Sequence, residues 1–253
     1  MKRFFLLIAA LAVVVAACGG DDGAASDVPT LTDGELLVCT DAPYEPFENT
    51  DEDGNVTDGV DVDIVEAIGE ELGLSVEWTI QPFDGIWLAP SAGTCDLVAS
   101  AMTITEDRAA QALFSDPYYV ADQSLLVKAG SGIATLDDLD GMNVAVQTGT
   151  TGEIYAQDNA PDGVTIVSYD EPAAMFLALE GDDVAAILQD LPVNQARANL
   201  DDSFELAQTY ETGEEYGFAT AQENTELMDA INEALATVID DGTVDAIFET
   251  YFG

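Results

Sequence analysis

Short apolar runs alternate with helix-period segments twice along this chain, and few folds accept that order. Leu36–Thr40 and Ser75–Ile80 read as strands. Between them, Val60–Leu72 sets Val62, Ile64, Val65, Ile68 and Leu72 at helical spacing, and Gly73 closes the helix. Phe83–Leu88 begins a short helix, and Asp96–Ala101 reads as a third strand. A helix over Thr105–Leu113 opens on a Thr cap with acids in its first turn. After a strand at Ser124–Lys128, the pattern repeats. It runs through a short helix at Leu136–Leu139, a strand at Asn143–Gln147, a helix around Tyr155, a strand at Val164–Ser168, a helix at Pro172–Glu180 and a strand at Ala185–Leu188. A returning strand, Phe218–Thr220, and helices at Glu226–Asp240 and Val244–Tyr251 complete it. The reading is an α/β fold of two lobes, each a mostly parallel sheet flanked by helices. Ligands of such sheets sit at the carboxyl ends of strands. Asp41, Ser100 and Thr103 fall at such ends in the first series, and Thr148–Thr151 and Asp190 in the second.

Charge singles out one of these ends. The chain has 5 Lys plus Arg against 50 Asp plus Glu, a net charge of −45. Nucleic acid and anionic lipid are excluded as partners, because the chain would repel their negative charge. A hydrophobic content of 48% excludes disorder, leaving a folded core under an acidic skin suited to high salt. Beyond Lys2 and Arg3, the basic residues are Arg108, Lys128 and Arg197. Arg108 stands just inside the expected Thr105 helix, where the dipole disfavours a cation. Two readings are open: a guanidinium clamp for a carboxylate, or a surface Arg paired with Glu106 or Asp107. The Gln147–Thr151 turn offers amides and hydroxyls at a helix start, either an anion nest or ordinary capping. Asp190 is a carboxylate at a cleft-type position or a helix cap.

Residues 1–17 read as a signal peptide: a basic start, an apolar run from Phe4 to Ala17, then Cys18 after small residues. That pattern resembles a bacterial lipobox and implies lipid attachment at Cys18. The protein is then extracytoplasmic, lipid-anchored to the cell membrane through a flexible tether over 18–32. Cys39 and Cys95 remain, either a disulfide or two buried thiols.

Four ordered motifs carry a resemblance covering about Leu36 to Gly253. They are Thr40–Phe47 (TDAPYEPF), Gly59–Asp63 (GVDVD), Ala101–Arg108 (AMTITEDR) and Phe114–Tyr119 (FSDPYY). Together they resemble the extracellular solute-binding proteins of polar amino-acid ABC transporters. The resemblance implies a two-lobed clamp with hinge crossovers near Tyr118–Asp122 and Thr212–Tyr216. Lobe 1 would be 33–119 with 216–253, and lobe 2 would be 120–215. It implies that Arg108 takes the ligand carboxylate, with Thr103, Thr150 and Thr151 as further donors. The Ala101 carbonyl and Asp190 would take the ammonium, while Tyr44 and Phe83 sandwich the aliphatic stem. Ser100 lines the same strand end, and Asp41 reaches the side-chain end. The partners implied are a free amino acid and ABC permease subunits, with a monomeric binder and no cofactor.

Some positions depart from the family pattern. Val60 replaces the usual Phe, which reads as packing. Gln147 and Gln189 stand where glutamine binders carry Lys and His, which argues against a strict glutamine assignment. Asp61 and Asp63 read as helix caps. An acidic ligand would need a second cation, and neither Lys128 nor Arg197 matches a pocket position. The order of ligands is therefore cationic amino acids first, then glutamine-like ones. The competing class is a dehydratase-type enzyme on the same fold, with Glu45 as candidate acid; a receptor sensor domain is a third. Without His, the chain offers no Ser/His or metal-ligand cluster.

Overall fold

The computed structural model describes residues 28–253. The signal peptide and Cys18 lie outside the described residues. Val28 packs on the first core, and the Leu31 N–H donates to Asp96 (2.6 Å). The end of the segment read as tether is thus seated on lobe 1.

The first sheet uses β1 (Glu35–Thr40), β2 (Ser75–Ile80), β3 (Leu97–Val98), β4 (Leu113–Phe114) and β10 (Ala219–Thr220). Their order is β2-β1-β3-β10-β4. β1 runs parallel to β2 and β3, whereas β10 returns antiparallel. The second sheet holds β5 (Tyr119–Lys128), β6 (Asn143–Gln147), β7 (Thr165–Tyr169), β8 (Ala186–Asp190) and β9 (Phe204–Tyr216). Its order is β7-β6-β8-β5-β9, parallel among β6, β7 and β8 and antiparallel for β5 against β8 and β9.

α1 (Val60–Leu72) shows how the pattern makes the fold. Val60, Val62, Ile64, Val65 and Ile68 are buried, and each such side chain contributes about 1.5–3 kcal/mol. Gly73 ends the helix at φ 66°, its N–H bonded to the Glu70 carbonyl. Gly59 has to be glycine: φ is 140°, and a Cβ there would lie 2.1 Å from the Phe47 carbonyl oxygen. α6 (Thr225–Asp240) buries Leu227, Met228, Ile231, Leu235 and Val238 against the same lobe, while Ile239 is exposed. α7 (Thr243–Phe252) follows it.

Several elements differ from the sequence reading. The strand expected over Asp96–Ala101 is two residues long, because the chain turns after Val98 and Ala101 takes φ 42°. The helix expected over Thr105–Leu113 is one turn, α2 (Glu106–Ala109), capped by the Thr105 side chain accepting from the Arg108 N–H. Leu113–Phe114 leave it to pair with β10. The lobe 2 helices α3 (Thr151–Asn159) and α4 (Pro172–Glu180) match expectation, but α5 (Leu191–Leu200) and most of β9 were not expected.

Cys39 at the end of β1 and Cys95 ahead of β3 are joined as a disulfide, Cα–Cα 5.8 Å. The two crossovers between lobes are neighbours: Tyr119 pairs with Tyr216, Val120 with Glu215 and Ala121 with Glu214. Phe47, Tyr119, Tyr216 and Phe252 pack ring on ring beside this double strand.

Candidate binding cleft

The carboxyl ends of both sheets face each other across a closed cleft. The lobe 1 wall consists of Asp41 and Tyr44 after β1, Phe83 after β2, and Ser100, Ala101, Thr103 and Arg108 after β3. The lobe 2 wall consists of Gln147, Thr150 and Thr151 after β6 and Asp190 at the end of β8. All eleven residues singled out in the sequence line this one cavity. Its volume, about 10 Å³, holds about one water, because side chains of the two lobes reach one another.

Arg108 lies on its floor, 4% exposed. One guanidinium nitrogen donates to the Thr103 carbonyl (2.7 Å) and another crosses to the Gly149 carbonyl (3.0 Å). Its Cζ sits 5.1 Å from the ring centroids of both Phe83 and Trp87. Among the described residues no carboxylate pairs with it; the ion pairs belong to Lys128 and Arg197. Burial lowers its pKa to about 10, opposed by the charges of Asp190 and Glu214 and by Tyr216. A buried guanidinium without a carboxylate is a costly half of an ion pair. The surface-pair alternative with Glu106 or Asp107 is thereby removed. The dipole objection also falls, since α2 is one turn and Arg108 belongs to its last turn.

Gly149 permits the approach of the lobes. At φ 78°, a Cβ there would lie 2.7 Å from Asp84 Oδ1. Thr150 caps α3: its hydroxyl donates to the Gln147 carbonyl (2.8 Å) and accepts from the Glu153 N–H (3.1 Å). Its hydroxyl hydrogen is therefore already committed.

Asp190 is at the start of α5 but caps nothing with its side chain. It accepts from the Tyr44 hydroxyl (2.9 Å), the Tyr216 hydroxyl (2.5 Å) and the Gln123 amide (2.5 Å). Burial raises its pKa to about 6, helped by the charge of Glu214 and opposed by those three donors. Asp41 is raised to about 6 by burial, with the Gln147 hydrogen bond lowering and the Glu171 charge raising it. Gln147 donates across the cleft to Asp41 (2.5 Å), and the Asp41 N–H donates to Ser100 Oγ (3.0 Å).

Two expectations are corrected. Asp61 is no cap: the N-cap of α1 is Gly59. Asp61 is fully buried behind the cleft, accepting from the Ala101 N–H (2.8 Å) and the Tyr118 hydroxyl (2.5 Å), and so fixes the strand end. Burial raises its pKa to about 6. Glu48 beside it is pushed well above the carboxylate range by burial and by the Asp61 charge. Asp63 also caps nothing; it accepts from the Tyr251 hydroxyl (2.9 Å). Gln189, at a position where glutamine binders carry a different residue, turns from the cavity and donates to Asn194 (2.8 Å). The sequence reading did not find Trp87, Gln123, Glu214 and Tyr216. Trp87 lies in the segment that reads only as the start of a short helix, and the others lie on long hinge strands legible only in part.

Such a fold defines a two-lobed solute-binding protein. The model of the bacterial extracellular solute-binding proteins, family 3, matches residues 36–253. A "Probable histidine-binding protein" of Neisseria gonorrhoeae is 32% identical over 91% of this chain and 88% of its own. The arginine-binding extracellular protein ArtP of Bacillus subtilis is 31% identical, with 86% of each chain covered. Among solved structures, an ancestral arginine-binding protein bound to arginine superposes with TM-score 0.80 at 39% identity, covering 87% of this chain and 99% of that one. An ancestral arginine-binding protein bound to glutamine gives 0.82 at 38%, covering 88% and 99%. An ancestral amino-acid-binding protein, a precursor of cyclohexadienyl dehydratase, gives 0.80 at 36%, covering 87% and 96%. The chain belongs to the bacterial extracellular solute-binding proteins, family 3.

Proposed function

We propose that this protein captures a polar L-amino acid, with arginine, lysine or ornithine ranked first, and delivers it to an ABC permease. The observation that carries the reading is Arg108, buried and without a carboxylate, across the cleft from the buried carboxylate of Asp190. A zwitterionic main chain supplies what each lacks: a carboxylate for the guanidinium and an ammonium for Asp190. Tyr44 and Phe83 would hold the stem between them. At the far end Asp41 adds a carboxylate, with Glu171 close enough to raise its pKa. That excess of negative charge favours a cationic side chain. Lobe 1, 33–119 with 216–253, would bind first through Arg108, and lobe 2, 120–215, would close on Asp190 and Thr151. Cys18 would carry the lipid anchor, and the binder would act as a monomer.

The neutral alternative, a glutamine-like ligand, is favoured by the Gln147–Asp41 bond, since that pair presents both an amide and a carboxylate. The dehydratase alternative is weakened by Glu45, which is exposed and lines a neighbouring pocket instead of the central cavity. A thermal-shift screen of the twenty amino acids and ornithine, followed by calorimetry, tests the reading. Arginine, lysine or ornithine should give the largest shift; a largest shift from an acidic or apolar amino acid would refute it.

A further inference from the structure

Behind the cleft lie two acids that do not line it, Glu48 and Asp61, both fully buried in lobe 1. Asp61 accepts from the Ala101 N–H (2.8 Å) and from the hydroxyl of Tyr118 (2.5 Å), whose ring stacks on Phe218 with centroids 4.5 Å apart. The two carboxyl groups stand within hydrogen-bonding reach of each other. Yet neither Glu48 oxygen receives a hydrogen bond from any N–H or O–H. Among the described residues no cation stands beside the pair: Arg108 bonds to the Thr103 and Gly149 carbonyls, and Lys128 and Arg197 pair with acids of lobe 2. The titratable groups facing Glu48 are Asp61 on α1, Asp41 after β1, Tyr44 on its own loop and Tyr118 ahead of β5, all of them acids. Two buried carboxyl groups in contact, one of them without a single donor, are not both ionised. Asp61, with two donors, keeps the charge; Glu48, with none, keeps the proton.

We propose that Glu48 donates its proton to Asp61 in a shared hydrogen bond, and that this makes Glu48 a positioning residue for the cleft, acting through Asp61 on Ala101. Ala101 lines the cavity at φ 42°, a strained conformation for a residue with a Cβ, and one that persists only where its surroundings fix it. The bond that fixes it is its own N–H to Asp61. Glu48 gives Asp61 a third donor and so holds the acceptor in place. Without that proton, two charges would face each other in the interior, and Asp61 would be driven from the Ala101 N–H. The hold is complete while Glu48 is protonated and is lost as pH rises through its raised pKa. Both acids and Ala101 belong to lobe 1, so the arrangement does not depend on how the lobes sit.

The test begins with infrared difference spectra of the full chain at pH 8, where Asp41, Asp61 and Asp190, raised only to about 6, are ~99% ionised. Wild type should still show the carbonyl stretch of a protonated carboxylic acid, and Glu48→Gln should lose it. A wild type without the band, or a Gln variant that keeps it, would overturn the proposal. The positioning is read at the Ala101 amide proton by NMR. Its resonance should stay in Glu48→Gln, whose amide N–H still donates to Asp61, and move in Glu48→Ala. An unmoved resonance in the Ala variant, or one displaced as far in the Gln variant, would also overturn it. Should Glu48→Ala fail to fold, the wild-type band and the Gln variant decide. A last arm rests on the amino-acid reading: at pH 8, Glu48→Ala should bind arginine ~10-fold more weakly than wild type and Glu48→Gln within ~2-fold of it. Undiminished affinity in the Ala variant would remove Glu48 as a positioning residue. A wild type that binds no amino acid would sink the ligand reading instead, while the band and the Ala101 resonance would still decide the pair.

Discussion

Acidifying the solution from pH 7 to pH 5 should separate cationic from neutral ligands by an amount the cleft itself sets. Asp41 and Asp190 are both raised to about 6, mainly by burial. A carboxyl of that pKa is ~90% ionised at pH 7 and ~10% at pH 5, so an ammonium or guanidinium that needs it charged binds ~10-fold more weakly at the lower pH. Glutamine needs a charged partner in Asp190 alone, because its side-chain amide can donate to an ionised Asp41 or accept from a protonated one, and it would lose ~10-fold. Arginine would draw on Asp190 and Asp41 and lose ~100-fold. Any contribution from Asp61 or Glu48, which lie behind Ala101, is common to both ligands and cancels in the ratio. The ratio of arginine to glutamine affinity should therefore fall ~10-fold over the two units, and Asp41→Asn should flatten it. The ligand-free fold should move the opposite way. An acid whose pKa rises on folding takes up a proton as the chain folds. Its contribution is complete below 3.8 and is lost as pH rises through about 6. Going from pH 7 to pH 5 should thus add about 1 kcal/mol of stability for each of Asp41, Asp61 and Asp190. Calorimetric titrations at pH 5, 6 and 7 with both amino acids, alongside melting of the stripped protein, measure both trends. A ratio that stays flat with pH in wild type would refute Asp41 as the side-chain counter-charge.

Three other outcomes are expected. Arg108→Ala should weaken amino-acid binding by at least ~100-fold in calorimetry, since a buried charge left without its partner costs about 3–5 kcal/mol, while circular dichroism shows the fold retained. Reducing the Cys39–Cys95 bond, which closes a loop of sequence separation 56, should lower stability by up to about 4 kcal/mol in urea titration; an unchanged midpoint would mean the reduced chain is equally restrained. Raising salt should raise the melting temperature, because a net charge of −45 repels itself and screening relieves it; a fall with salt would refute self-repulsion as the dominant effect at the surface.

What was legible in the sequence divides along a physical line. α1, β6 and α4 could be read to their ends because local signals agree there: helical or alternating period, a Gly stop at Gly73, a Pro start at Pro172. β9 could not be read. Through most of its length its burial alternates only between half-buried and exposed, because it is the edge strand of its sheet and then becomes hinge. The helix at Arg108 was over-extended because Ala109, Ala110 and Leu113 suit a helix, and only pairing with β10 pulls Leu113–Phe114 into a sheet. The cleft residues at strand ends were found because strand direction alone sends them there. Glu214 and Gln123 were missed for the complementary reason. Their position depends on two crossovers, distant in sequence, lying side by side, and no local pattern encodes that pairing.

The scarcity of cations gives Arg108 a meaning that the geometry then sharpens. Asp41, Asp190 and Glu214 lie in or against the cleft, so the site carries more negative than positive charge before any ligand enters. A purely anionic solute would meet one guanidinium and three carboxylates. A zwitterion meets a partner for each pole, and a cationic amino acid also offsets one further carboxylate. On the proposed reading the cleft would therefore select against the charge that Arg108 alone would attract. Phe83 and Trp87 flank the guanidinium and the Thr103 and Gly149 carbonyls hold it, while Asp190 and Glu214 support its charge without pairing with it. An Arg paired internally to Asp190 would leave both ends of an amino acid unmatched. Holding Arg108 with rings and carbonyls, and Asp190 with Tyr44, Tyr216 and Gln123, keeps the two charges apart, and on the proposed reading a ligand bearing both poles would join them.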